Sequence, residues 1–155
     1  MAITELTSDL NLLAQLCEEV QTLHHKFYPD IFKPYSKADV LAGLQYVFGK
    51  GNATAIVAIL DDQPVGYVIV VKNEIAETPY AYGRYILSVD QLLVLDGYRG
   101  RGIGNLLMER AEAFALEHNI ARIELSHWAE NENAAAFFMG HGYSYTSQRM
   151  FKLVR

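Results

Sequence analysis

Between residues 9 and 28 the side chains Leu13, Leu16, Cys17, Val20, His24 and Phe27 recur three and four apart, the spacing of one face of an amphipathic helix. Ser8 or Asp9 stands where that helix needs a cap. The prolines of "YPDIFKPYS" interrupt it, and "KADVLAGLQYVFG" resumes a helical pattern that ends at Gly49. The period then changes. "ATAIVAIL" and "VGYVIVV" are rich in β-branched residues and flank "DDQP", which predicts two strands around a tight turn. "KNEIAETPYAYGR" reads as a loop carrying aromatic residues. "YILSVDQLLVL" suits a strand of about ten residues, in which alternation places Ser88, Asp90, Leu92 and Val94 on one face. After the glycine-rich "YRGRGIG", Ile103, Leu107, Ala111 and Phe114 return at helical spacing. "ARIELSHW" predicts another strand, "NENAAAFFMGHG" a short helix closed by glycine, and "YSYTSQRMFKLV" a terminal strand or hairpin. No repeat or linker divides the 155 residues. The class is α/β with a mixed sheet, in a single domain spanning 1–155.

Composition narrows the chemistry. The formal charge of −5 lacks the lysine and arginine surplus that a broad nucleic-acid footprint requires, so a small cationic substrate suits it better and no nucleic-acid partner is expected. A single cysteine excludes an internal disulfide and any multi-cysteine metal site, and its spacing places Cys17 in the core. His24 and His25 make a poor metal pair, because neighbouring helical residues point about 100° apart and no third ligand is evident. No metal is expected, and His24, on the apolar face, reads as a core histidine. "MAITELTSDL" has no basic stretch leading into an apolar one, and no apolar run approaches the ~18 residues of a membrane helix. A cytoplasmic protein without a membrane partner is the expectation.

The segment "YRGRGIG" holds the most informative chemistry. A dinucleotide fingerprint fails in both registers, since Asn105 or Leu107 stands where its last glycine belongs. A triphosphate loop starting at Gly97 fails because Ile103 replaces its lysine. What survives is a strand, a turn R-G-R-G-I-G and a helix. Glycines allow close backbone approach, and the first helical N–H groups favour an anion, with Arg99 and Arg101 nearby. The alternative is a glycine-rich turn that only joins strand to helix.

Arg99, Gly102 and Gly104 match R-x-x-G-x-[GA], and here the chain resembles the GNAT superfamily of N-acetyltransferases, whose acetyl-CoA pyrophosphate motif this is. "NENAAAFFMGHGY" resembles a second family pattern, N-x-x-A-x-x-[FY]-Y-x-x-x-G-[FY], with Asn131, Ala134, Phe137, Gly142 and Tyr143 in register. The resemblance covers nearly the whole chain. It implies a GNAT fold, a mixed central sheet flanked by helices, with the strands near 87–95 and 121–127 splayed to admit the pantetheine arm. It also implies acetyl-CoA as cosubstrate, pyrophosphate contacts from Arg99, Gly100, Arg101, Gly102, Ile103, Gly104 and Asn105, and backbone pairing of the arm with Leu92, Leu93 and Val94. An N–H near Val94 would polarise the thioester carbonyl. Asn131 is expected to hydrogen-bond the pantetheine, with Phe137 and Phe138 packed near it or serving only the core. Relatives are often dimers, so a homodimer is the expectation.

Transfer to an amine needs a base, and Asp90 corresponds to a position where relatives often carry glutamate. It is the candidate catalytic residue, acting through water, with a role limited to orienting the acceptor as the alternative. For the acid the chain departs from its relatives: Phe138 stands where many place a tyrosine, Tyr143 and His127 are candidate substitutes that also read as core and strand positions, and protonation of the thiolate by solvent is the alternative. The expected activity is acetyl transfer from acetyl-CoA to a primary amine of a small molecule, amino acid, peptide or protein. A catalytically weak acyl-CoA-binding regulatory or interaction module of the same fold is the alternative from another class. An acceptor as large as an aminoacyl-tRNA is discouraged by the acidic balance.

Overall fold

The computed structural model describes residues 1–154. The chain divides into two compact units, Met1–Leu125 and the segment from Ser126 onward. In the first, five strands form one sheet in chain order: β1 (Ile3–Thr7), β2 (Ala53–Leu60), β3 (Gln63–Ile75), β4 (Arg84–Val94) and β5 (Ile123–Leu125). The first four run antiparallel to their neighbours, and β5 pairs parallel to β4. The sheet is mixed and flanked by helices, the architecture that the resemblance implies.

The two faces of the sheet carry different helices. On one lie α1 (Leu10–Leu16) and α3 (Lys37–Phe48), which enclose Leu13, Ala14, Leu16, Leu44, Ala55, Tyr67, Ile69 and Leu93. Asp9 caps α1 by accepting from the Leu12 amide at 3.0 Å, and Ser36 caps α3 by accepting from Asp39 at 3.3 Å. Along α4 (Ile103–Glu117), Ile103, Leu107, Met108, Ala111, Phe114 and Ala115 are buried, the stripe that the helical period predicts.

Several expectations give way. The helix predicted over 9–28 is divided at Cys17 into α1 and α2 (Glu18–Phe27), and α2 buries none of its side chains fully. Its apolar spacing therefore ends in partial cover, with Phe27 40% exposed. β1 has no counterpart in the sequence reading; its pairing with β2, from Ile3↔Ile59 to Thr7↔Ala55, makes it a strand. The tight turn is built on Asp61 and Asp62, both at positive φ, as a two-residue hairpin requires. β3 runs on to Ile75, so part of the predicted loop is sheet. The terminal strand or hairpin predicted from Tyr143 onward is absent among the described residues. No ladder engages it, and Met150, Phe151, Leu153 and Val154 stand exposed.

Gly66 is a position whose importance is sterically specific. A Cβ there would lie 2.5 Å from the Leu93 carbonyl oxygen and 3.2 Å from the Val94 Cα, so β3 and β4 approach too closely for any side chain. Gly66→Ala is expected to destabilise the protein by about 1–3 kcal/mol through the forced backbone shift, measured as a lower urea midpoint at unchanged slope. An unchanged midpoint would show that the strands separate freely here.

Candidate functional site

The middle of β4 breaks the alternation on which the sequence reading relies. Gln91 pairs with Ile69 and Val89 with Val70, leaving Asp90 as the extra residue of a β-bulge. Paired residues share a face and neighbours along β3 oppose each other, so parity reverses across the bulge. Ser88, Gln91 and Leu93 face the α1 and α3 side with Ile69 and Tyr67, while Leu92 and Val94 lie on the opposite face with Val68 and Gly66. The expectation that Ser88 shares a face with Leu92 and Val94 is therefore corrected, and Asp90, as the bulge residue, stands outside the alternation. The Asp90 carboxyl is at the surface, but the protein around it still raises its pKa through desolvation. A hydrogen bond from Gln91 and the charge of Lys50 oppose that rise.

The same stretch of β4 runs past its parallel neighbour. The ladder with β5 ends at Val89↔Leu125, so from Asp90 to Val94 the strand has no sheet partner on that side among the described residues. Leu95 donates to the Val65 carbonyl at 3.0 Å, which fixes the antiparallel phase. Alternation then turns the backbone groups of Leu93 toward β3 and those of Leu92 and Val94 toward the open side. Of the three predicted backbone positions, these two direct their N–H and C=O groups away from β3.

Beyond Val94 the chain makes a 3-10 turn, Asp96–Tyr98, and enters the glycine turn. Gly100 and Gly102 hold φ of 72° and 78°, left-handed conformations that favour glycine, and nothing lies within 4 Å of a Cβ built on either. Gly102 is the N-cap of α4, and the first intrahelical bond there runs from Leu106 to Gly102 at 3.0 Å. The amides of Ile103 and Gly104 thus belong to the helix end rather than its ladder, at the positive pole of a fifteen-residue helix.

Arg99 reaches back to the strand. Its Nε donates to the Val94 carbonyl at 3.0 Å, Nη1 to Asp96 at 3.1 Å, and Nη2 lies 3.7 Å from Glu19. Glu19 also accepts from the Asp96 amide at 2.9 Å, so a side chain of α2 braces the entry to the turn. No local pattern singles out Glu19, because its partners lie about eighty residues away in sequence. Arg101 lies over the Tyr98 ring, 5.5 Å from its centroid, and no ion pair engages it among the described residues.

Near this turn, Glu18, Glu19, Thr22, Lys26, Asp96 and Arg99 line part of a shallow groove of about 740 Å³. Its carboxylates Glu19 and Asp96 are engaged by Arg99, and Lys26 lines the same groove. His24 stacks on Phe32 with centroids 4.7 Å apart, and burial lowers its pKa, so it is a half-buried packing residue. Tyr80, Tyr82 and Tyr85 are exposed.

The second unit carries the remaining candidates. Asn131 caps α5 (Glu132–Gly140), its Oδ1 accepting from Ala134 at 3.1 Å, which leaves its amide nitrogen for other contacts. Phe138 is buried, and its ring meets those of Phe137 and Tyr143 edge-on, with centroids 5.4 and 5.9 Å away. β5 stops at Leu125, so His127 lies outside the strand that the sequence predicts for it, and its Nε2 is 3.1 Å from the Tyr145 hydroxyl. Among the described residues, no helix is long and apolar enough to cross a membrane.

Comparison with known proteins gives a concordant result. The model of the Acetyltransferase (GNAT) family matches residues 17–143. An uncharacterized N-acetyltransferase of Archaeoglobus fulgidus is 32% identical over 104 residues, covering 66% of this chain and 67% of that one. The crystal structure of a point mutant of the BH1408 protein from Bacillus halodurans superposes with a TM-score of 0.90 at 23% identity, covering 99% of both chains. The structure of AAC(6')-Iy in complex with a bisubstrate analog, CoA-S-monomethyl-acetylneamine, superposes with a TM-score of 0.70 at 13% identity, covering 100% of this chain and 99% of that one.

Proposed function

The chain belongs to the GNAT acetyltransferase family, and from that premise we propose that it moves an acetyl group from acetyl-CoA directly to a primary amine. One observation carries the reading: the open edge at Leu92 and Val94 leads straight into the glycine turn at the head of α4. An extended amide-bearing arm needs such an edge, and a pyrophosphate needs such a helix end. Leu92 and Val94 pair with the pantetheine arm, and the turn from Gly100 to Asn105 holds the phosphates, with Arg101 as the nearby cation. Arg99 holds the Val94 carbonyl in this conformation and releases it when the arm pairs there. By the family resemblance, Asn131 hydrogen-bonds the pantetheine, and Phe137 and Phe138 pack near it. The match across residues 17–143 runs through both units and supports reading them as one domain.

In the reaction, the amine nitrogen attacks the acetyl carbon, the C–S bond breaks and the thiolate leaves. The Val94 N–H stabilises the charge that develops on the carbonyl oxygen. An alkylammonium with a pKa near 10.4 must first lose a proton, which Asp90 takes through water. Phe138 offers no proton to the thiolate; with an ordinary thiol pKa near 8.5, the thiolate leaves at neutral pH and is protonated by solvent. The acceptor is a small molecule, amino acid, or peptide or protein amine. A cytoplasmic homodimer completes the reading.

The test follows thiol release from acetyl-CoA against polyamines, amino acids, aminoglycosides and N-terminal peptides. Saturable release with at least one amine is the expected outcome. Phe138 favours a second reading, an acyl-CoA-binding module with little turnover. Tight acetyl-CoA binding without release on any acceptor would select it.

A further inference from the structure

Two side chains that the proposed reaction does not use meet directly behind the bulge. Tyr67, fully buried on β3, donates its hydroxyl hydrogen to Gln91 Oε1 at 2.7 Å. The pairing Ile69↔Gln91 makes Tyr67 and Gln91 diagonal neighbours on one face of the sheet, so the contact depends on the register that the bulge creates. Cys17, from the junction of α1 and α2, brings its Sγ to 4.0 Å from the same oxygen.

An amide has one accepting end and one donating end. With Oε1 turned inward to Tyr67 and Cys17, the donating nitrogen of Gln91 is left for the adjacent Asp90 carboxyl, on which this side chain acts to lower the pKa. Reversing the amide would set Oε1 against an acceptor-only carboxylate. Burial raises the pKa of Tyr67, and the nearby Cys17 and Asp90 raise it further, so the phenol stays protonated and remains a donor. The other charge acting on Asp90 is Lys50, after α3.

We propose that Gln91, its amide locked by the Tyr67 hydroxyl, is a positioning residue that holds the Asp90 carboxylate at the bulge in its ionised, proton-accepting form. The inference rests on the reading of Asp90 as the base, but its primary readout needs no activity. The Asp90 carboxyl carbon is followed by NMR titration of protein carrying carbon-13-labelled aspartate, with Asp90→Asn identifying the resonance. In Gln91→Met the midpoint is expected to move to higher pH by roughly one unit, because a hydrogen bond favouring the charged form is lost. Tyr67→Phe is expected to move it in the same direction by less, since the amide loses its lock but not its donor. Gln91 is half-buried, so Gln91→Met keeps the test available if Tyr67→Phe folds poorly.

The acid limb of kcat/KM is measured on the same variants. A limb that moves with the titration supports both the positioning role and the base. A titration that moves while the limb stays in place supports the positioning role and removes Asp90 as the base. An Asp90 midpoint unchanged in Gln91→Met overturns the proposal whatever the activity does.

Discussion

Calorimetric titration of Gly102→Glu with acetyl-CoA is expected to show affinity weakened roughly a thousand-fold. A carboxylate about 4 Å from a phosphate charge, at an effective dielectric near 20, is opposed by about 4 kcal/mol. The turn has room for the substitution, since nothing lies within 4 Å of a Cβ at Gly102. The side chain would therefore stand beside the helix end rather than be deflected by protein. Backbone strain is a separate effect, because Gly102 holds φ of 78° and any L-residue there is disfavoured. Gly102→Ala carries that strain without the charge. It is expected to lower thermal stability while keeping acetyl-CoA affinity within roughly tenfold. Circular dichroism on both variants separates unfolding from lost binding. If Gly102→Glu binds as tightly as Gly102→Ala, the phosphates do not sit at the head of α4.

That prediction rests on the part of the molecule most legible in the sequence. The stripe from Ile103 to Phe114 and the β-branched runs that become β2 and β3 are local periods, and local periods survive folding when one face has a core to meet. The glycine turn is legible for a related reason: positive φ at Gly100 and Gly102 is a demand that residue type alone can answer. Features set by distant pairing were not legible. The bulge at Asp90 exists because of how β3 registers against β4, and nothing in "SVDQLL" announces an extra residue. Strict alternation therefore places Ser88 on the wrong side of Leu92 and Val94. Glu19 braces a turn about eighty residues away, and Tyr67 meets Gln91 across 24 positions, so neither partner could be read from its neighbours. At the C-terminus the pattern suggested a strand, but a strand needs a ladder partner and the described residues supply none.

Replacing Asp90 by asparagine is expected to lower kcat/KM by roughly 10²–10⁴-fold with the best amine, the usual contribution of a positioned base. The sign of the pH effect follows from desolvation. It is the largest influence on Asp90 and raises its pKa, so the acid limb of wild-type kcat/KM lies above the ordinary carboxylate range. In Asp90→Asn that limb should disappear. A preserved limb with a raised KM would instead assign Asp90 to orienting the acceptor. Stability provides an independent check with the opposite sign. A carboxyl with a raised folded-state pKa favours folding below its unfolded pKa, and that advantage is lost as pH rises through the folded value. The wild type therefore gives up stability across this window, while Asp90→Asn has no such proton to lose. The variant should melt above the wild type at neutral pH, and the difference should shrink as pH falls through the raised folded-state pKa and vanish below the unfolded carboxyl pKa near 3.9. A group that gains activity by being poorly solvated makes the fold less stable when ionised. Asp90→Asn should therefore be the substitution at this site that costs turnover and raises the melting temperature together.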